Sequence, residues 1–403
     1  MSSCVVHGYT GSDYVTKSDV QQMINSNMGS NVTVEGGDNY NVTISGAPQE
    51  NAAAGKALLS AVSIRCVFKT ISYGTSYQPG GISSREKTSA GSGVIYKLDK
   101  NKGDAYIITN YHVVYNSQSN TENGISDNIS VYLYGQEGVG YEIPATYVGG
   151  SMNYDLAILK VEGNRILAES NAVAVTFADS NDVAVLDKAI AVGNPEALGI
   201  SATLGYINVD SEYITMEGAD GTTAIQLRVM RMDTAVNSGN SGGGLFNSKG
   251  ELIGIVNAKL TSSENMSYAI PSNFVKCVAE NILHYCQNSE LENVYRCYLG
   301  ITVSTSKLYT EYDKECGKVH KREQVSVVSI EDGSLASGTL EVGDIINSIT
   351  VDGVKYDVNR MYIVTDSMLN ARVGSVVTVN VTRGEEVIDV NINITKSSLT
   401  LVK

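Results

Sequence analysis

Four glycines crowd one serine in residues 233–246, Asp233-Thr-Ala-Val-Asn-Ser-Gly-Asn-Ser-Gly-Gly-Gly-Leu-Phe, and no other stretch restricts the chain so tightly. Lacking Cβ atoms, Gly239, Gly242 and Gly243 adopt backbone angles that other residues resist, so a sharp turn between two strands is expected here. The same angles turn the amides of Gly239 and Ser241 toward one point, a cradle for a negative oxygen. A serine hydroxyl is a poor nucleophile at neutral pH. It attacks a carbonyl only when a base takes its proton and preorganised donors hold the oxyanion that forms. A plain surface turn would have the same composition, so Ser241 must be weighed with the partners the rest of the chain offers.

Two segments offer them. Ala105-Tyr-Ile-Ile-Thr-Asn-Tyr-His-Val-Val is an apolar, strand-like run ending in His112, one of four histidines. An imidazole at a strand end, with an ordinary pKa near 6.5, can accept a serine proton and return it to a leaving amine. Tyr154-Asp-Leu-Ala-Ile-Leu-Lys-Val sets Asp155 at the head of an alternating strand, where a carboxylate can fix the imidazole tautomer. Asp179, Asp182 and Asp187 lie close downstream. Spacing alone does not choose among them; the position before Leu-Ala-Ile-Leu favours Asp155.

Together these residues resemble the HtrA/Deg family of trypsin-fold serine proteases, whose order is His, Asp, Ser. Ala90-Gly-Ser-Gly-Val-Ile-Tyr is similar to the family's first strands, Gly193-Asn-Pro to its mid-domain turn, and Gly250-Glu-Leu-Ile-Gly-Ile-Val-Asn with Tyr268-Ala-Ile-Pro to the strands after the serine. The resemblance covers residues 60 to 275. It implies His112 as base and acid, Asp155 as orienter, Ser241 as nucleophile and the amides of Gly239 and Ser241 as the oxyanion hole. It also implies a specificity pocket floored by Ala235, six residues before the serine, and walled by Ile255, Val256, Asn257 and Ala258. A small apolar floor gives a buried cation no partner, so cleavage after Val, Ala, Ile or Leu is expected. Two departures stand out: the family usually has proline where this chain has Ser238 and Gly244, which should make the nucleophile loop easier to deform.

With 403 residues the chain is long enough for two domains and an extension. Its 39 glycines, absence of tryptophan and short Val/Ile/Thr/Tyr runs broken by Gly, Asn and Asp fit a mainly β fold. The resemblance implies two six-stranded barrels of the trypsin type over residues 59–287. A formal charge of −14 without a Lys/Arg cluster excludes a nucleic-acid surface. Cys277 and Cys286, nine apart on an expected helix, face opposite ways at about 100° per residue and cannot bridge. Cys297 and Cys316 could pair or remain free thiols, and no cysteine–histidine spacing suits a metal.

Residues 1–58 form an N-terminal extension in which Asn31-Val-Thr-Val and Asn41-Val-Thr-Ile read as a small hairpin. Residues 78–90 read as an exposed loop, and residues 216–223 as a hairpin tip. Beyond the helix, Tyr298-Leu-Gly-Ile, Leu340-Glu-Val-Gly-Asp and Val376-Val-Thr-Val resemble a PDZ domain over residues 293–398. That resemblance implies capture of C-terminal peptides as an added strand, with Tyr298, Leu299, Gly300 and Ile301 forming the carboxylate loop and receiving strand. It implies, for the whole, an endopeptidase acting outside the cytoplasm on unfolded polypeptides, a homo-oligomer such as a trimer, no cofactor, and an export signal already removed. The rival reading is a non-catalytic peptide-binding holdase or sensor on the same scaffold.

Overall fold

Short β runs in which every residue is apolar need burial on both faces, and two barrels packed side by side supply it. This computed structural model describes residues 32–35, 41–44, 49–72, 83–259, 266–286 and 294–402. The chain divides into the units Met1–Ala52 and Ala53–Lys403. In the first, strands β1 (Val32–Glu35) and β2 (Asn41–Ile44) pair antiparallel; residues 36–40 between them lie outside the described residues.

The second unit begins with two closed barrels. The first contains β3 (Ala61–Ser72), β4 (Ser83–Asp99), β5 (Asp104–Thr109), β6 (Asn128–Leu133), β7 (Ile143–Ser151) and β8 (Leu156–Val161), in the order β3-β4-β5-β8-β7-β6. The second contains β9 (Lys188–Gly193), β10 (Ser201–Glu217), β11 (Ala224–Met232), β12 (Gly244–Phe246), β13 (Leu252–Lys259) and β14 (Ser267–Pro271), in the order β10-β11-β14-β13-β12-β9. Strand side chains alternate between faces. Accordingly Ala157 and Leu159 fill the first barrel, while Leu156 and Ile158 point to the layer between barrels. Ile190 and Val192 enter that same layer, and Ala189 and Ala191 fill the second barrel. Phe274, Val275, Val278 and Ile282 of the helix Ser272–Cys286 complete the shared layer. The strand after Asp155 is thus buried on both faces rather than alternating apolar and polar.

The C-terminal part has β15 (Val294–Cys297) paired with β22 (Leu399–Val402), and a sheet of β16 (Ile301–Asp313), β17 (Lys318–Ile330), β18 (Ile345–Val351), β20 (Val376–Arg383) and β21 (Glu386–Asn393), with β19 (Val354–Asp357) paired to β18. It has its own core around Val325, Ile346, Ile349, Val377, Val379 and Ile392. Val294 and Leu369, however, join the layer between the barrels.

One expectation is corrected here. Residues 83–90, read as loop, are strand, because β4 continues in register with β3 from Ser83 to Val94. Cys297 is buried and Cys316 exposed, and both are free thiols, as are Cys66, Cys277 and Cys286.

Candidate active site

His112 does not end a strand. β5 stops at Thr109, buried Asn110 follows, and His112 occupies the single helical turn Tyr111–Val114. The turn is held from below: Asn110 Nδ2 donates to the carbonyl of Asp155 at 2.8 Å. Asp155 sits just before β8 with φ of 47°, a left-handed conformation uncommon outside glycine and tolerated best by Asn and Asp. Its carboxylate is buried and fully engaged. Oδ1 accepts the backbone N–H of His112 at 3.0 Å, and Oδ2 accepts His112 Nδ1 at 2.7 Å and Asn257 Nδ2 at 2.6 Å. Nδ1 must carry the proton to donate to a carboxylate, which leaves Nε2 as the acceptor.

Burial works to lower the His112 pKa, but the charge and hydrogen bond of Asp155 outweigh it and hold the pKa above 6.5. Proton acceptance requires neutral His112. The acid limb of kcat/KM is therefore expected to have its midpoint above 6.5, with activity rising toward alkaline pH. A pH–rate profile on a short peptide checks this; a midpoint below 6.5 in the folded protein contradicts it. Because the folded-state pKa is the higher one, the pair's stabilising contribution is complete below 6.5 and is lost as pH rises through the folded value.

Ser241 lies in a turn that follows Asn237-Ser-Gly-Asn. Ser241 Oγ donates to the carbonyl of Asn257 at 3.1 Å, so Asn257 touches the acid through its side chain and the nucleophile through its backbone. Ser238 C=O accepts the N–H of Glu196 at 2.7 Å. Since a trans peptide points its C=O and N–H in opposite directions, this bond turns the Gly239 N–H away from Glu196. Neither that N–H nor the Ser241 N–H has an acceptor among the described residues. Ser92 locks the arrangement by donating to Gly239 C=O at 2.7 Å and accepting the Asn194 N–H at 2.8 Å. Its own N–H donates to Ser241 C=O at 2.8 Å. Gly239 has φ of 97°, and a Cβ there would lie 2.3 Å from Asn194 O.

The two departures from the family pattern differ in effect. Gly244 opens β12 and pairs with Val192 on one side and Ile255 on the other, so it is clamped in the barrel wall. Ser238 is exposed and, among the described residues, is held only through its carbonyl.

A cleft of ≈ 480 Å³ joins His112, Asp155, Ser241 and Asn257 to Met216, Ile225 and Val236. Of the residues expected in the specificity pocket, Asn257 lines this cleft. Ala235 is exposed and outside the lining, with buried Val236 in its place. Ile255 faces the layer between barrels and Val256 the interior of the second barrel. Asn257 remains, though its amide is spent on Asp155; the Ala258 side chain lies outside the description. Met216 and Ile225 come from the β10–β11 hairpin, whose tip is ordered by Asp220 accepting the N–H groups of Thr222 and Thr223. Among the described residues no group of three or more His, Cys, Asp or Glu side chains could hold a metal ion.

The trypsin-like peptidase domain family matches residues 91–255. The chain is 33% identical over 295 residues to the Serine protease Do-like HtrA of Lactococcus lactis, an alignment covering 70% of this chain and 66% of that protein. It is 30% identical over 322 residues to its Lactobacillus helveticus counterpart, covering 77% and 69%. The chain belongs to the HtrA family of serine proteases. The periplasmic serine endoprotease DegP of Escherichia coli is 30% identical over 332 residues, covering 79% of this chain and 60% of DegP. The chain thus spans between 41% and 69% of the length of these and similar curated relatives. In fold it is similar to the HtrA-type protease AlgW with a tripeptide, at TM-score 0.51 and 24% identity over 86% of this chain and 97% of that one.

In this HtrA-family chain the segment read as a carboxylate loop precedes the edge strand β16. Tyr298 is exposed, Leu299 buried, Gly300 has φ of 74°, and Ile301 opens the strand. The carbonyls of Leu299 and Gly300 accept from Ala336 and Glu331 at 3.0 and 2.8 Å. Their N–H groups have no acceptor among the described residues.

Sequence reading missed Ser92, Asn194, Asn110, Met216, Ile225 and Val236, and missed the bond from Asn257 to Asp155. Ser92 and Asn194 lay inside the motifs Gly-Ser-Gly and Gly-Asn-Pro, where a hydroxyl between two glycines and an amide between glycine and proline were the available signal. The pocket residues carried no local sign, since they meet only when the hairpin folds over the cleft.

Proposed function

We propose that this protein is a serine endopeptidase acting on unfolded polypeptides. One observation carries the reading: His112, bonded to Asp155, shares a cleft with Ser241, whose loop carries the N–H groups of Gly239 and Ser241 without acceptors among the described residues. Ser241 Oγ leaves the Asn257 carbonyl and attacks the substrate carbonyl carbon as His112 Nε2 takes its proton. The carbonyl oxygen becomes an oxyanion held by the amides of Gly239 and Ser241. The C–N bond then breaks, His112 gives its proton to the departing amine, and a water molecule repeats the sequence to free the acid. Asp155 holds the tautomer and balances the imidazolium.

The apolar cleft residues Met216, Ile225 and Val236 support cleavage after aliphatic residues. Incubated with casein, the protein is expected to cut mainly after Val, Ala, Ile or Leu, and stoichiometric fluorophosphonate labelling of Ser241 is expected to stop it. Mass-spectrometric mapping checks both: a majority of cuts after Lys or Arg overturns the pocket, and cleavage that survives full labelling overturns Ser241 as nucleophile.

Residues 293–398 are read as a PDZ domain that takes the terminal carboxylate of a peptide on the amides of Leu299 and Gly300 and its backbone along β16, whose outer edge pairs with no described strand. An extracytoplasmic location and a homo-oligomer follow the same family reading, DegP being named as periplasmic.

A further inference from the structure

The β10–β11 hairpin, residues 201–232, carries six charged side chains, and five of them have partners within the fold. Asp210 pairs with Arg360 at 2.7 Å, Glu212 with Arg231 at 3.2 Å, and Arg228 with Asp366 at 2.5 Å. Asp220 accepts the N–H groups of Thr222 and Thr223 at 2.9 and 2.8 Å and the Thr223 hydroxyl at 2.6 Å. The sixth, Glu217, is exposed, and its carboxylate has no hydrogen bond or ion pair among the described residues. It is also the one charged side chain that lines the cleft besides His112 and Asp155. Met216, Glu217, Gly218 and Ala219 form a continuous stretch of that lining. Gly218 N–H donates to Thr223 C=O at 2.7 Å and Gly221 N–H to Gly218 C=O at 2.9 Å, so this wall is ordered before substrate arrives. Alternation along β10 divides its roles: half-buried Met216 joins Ile225 and Val236 in the apolar part, and exposed Glu217 stands at the rim.

We propose that Glu217 is a specificity-determining residue, and that the preferred substrates carry a lysine or arginine beside the aliphatic residue that enters the apolar part of the cleft. The inference rests on the endopeptidase reading of that cleft. A cation pushed among Met216, Ile225 and Val236 would lose its water and find no partner. At the rim it keeps part of its hydration and meets an unpaired carboxylate, so the aliphatic and basic side chains of one substrate segment sort themselves between floor and rim. The chain's charge of −14 attracts cationic polypeptides in general, without regard to position along them. Contact with Glu217 is local, and it favours a cation only at the substrate positions that pass the hairpin. Such a contact holds substrate and transition state alike, so it lowers KM more than it raises kcat.

Wild type, Glu217→Gln and Glu217→Lys are compared as full chains on short peptides that are cut after a single valine, with each flanking position set in turn to Lys, Gln or Glu. At the positions that meet Glu217, wild type is expected to prefer Lys over Glu about ten-fold in kcat/KM, chiefly through KM. Glu217→Gln should narrow this to about three-fold, and Glu217→Lys should reverse it. Added salt should shrink the wild-type preference, because the pair is open to solvent. Equal kcat/KM for Lys and Glu peptides at every position in wild type overturns the role of Glu217. So does a preference spread evenly over all positions and unchanged in both variants, which would belong to the overall charge of the chain. If wild type cuts none of the peptides and fluorophosphonate labels no serine, the endopeptidase reading itself falls, and this inference with it.

Discussion

Asp155→Asn is expected to cut kcat by on the order of 10⁴ with little change in fold, the size seen for this change in a serine triad. The expectation rests on how the carboxylate is used. Oδ2 accepts from both His112 Nδ1 and Asn257 Nδ2, at 2.7 and 2.6 Å. An amide in this place presents an NH₂ group to one of those donors, or turns its oxygen to them and its NH₂ against the His112 backbone N–H at Oδ1. In either case one buried donor loses its acceptor, or the imidazole adopts the other tautomer and offers Nε2–H instead of a lone pair. Removing the negative charge also removes what lifts the His112 pKa, so residual activity should show its acid limb at lower pH than wild type. Single-turnover kinetics across pH on the same short peptide is the measurement. An Asp155→Asn enzyme within ten-fold of wild type would mean that another acid orients the imidazole.

Much of this site was legible because its chemistry sits in contiguous motifs. His112, Asp155 and Ser241 each occur beside an apolar run that becomes a barrel strand, and barrel closure brings the runs together. The glycines around Ser241 were legible for a related reason. Gly239 and Gly242 have φ of 97° and 84°, and a Cβ on Gly242 would lie 2.2 Å from Ser92 O, so composition records a backbone requirement directly. What failed were inferences about which face a residue turns to. Ile255 and Val256 are neighbours on β13, and alternation sends one to the layer between barrels and the other into the second barrel. Ala235 and Val236 differ for the same reason: a shift of one residue moves a side chain between solvent and cleft, and Val236 is the one that lines it. Glu196 and Ala197, in the turn between β9 and β10 with φ of 55° and 57°, were silent for another reason. Their left-handed angles contradict their residue types, so no propensity argument finds them.

The second large effect lies where the C-terminal part meets the second barrel. Arg228, on β11, places Nη2 2.5 Å from Asp366 in the helix Tyr362–Ser367, with only 5% and 15% of the two side chains exposed. The guanidinium carbon lies 3.9 Å from the centre of the Tyr362 ring and 5.7 Å from that of Phe274. Arg360 pairs with Asp210 at 2.7 Å, and Lys318 with Asp187 at 2.6 Å. Breaking a buried pair from one side strands the other charge, so Arg228→Met is expected to cost about 3–5 kcal/mol, whereas Arg228→Met with Asp366→Leu should recover most of that loss. Burial pushes the Asp366 carboxyl above its usual range, against the pull of Arg228. The single-variant deficit should therefore shrink as pH falls and Asp366 takes up its proton. Urea unfolding of the four proteins of this cycle, at neutral and mildly acidic pH, measures both effects; additive losses, or a single-variant cost below 1 kcal/mol, would show that the pair does not hold the junction. The same contacts change what truncation means. Asn281 Nδ2 donates to the carbonyls of Tyr295 and Leu369, and Val294 and Leu369 pack in the layer between the barrels. Cutting the chain at residue 293 opens that layer to water and leaves Arg228 unpaired, so a lower rate in the shortened protein would report lost barrel packing as well as lost peptide capture. The paired Arg228→Met and Asp366→Leu protein keeps the layer intact while loosening the charge contact, and it separates the two.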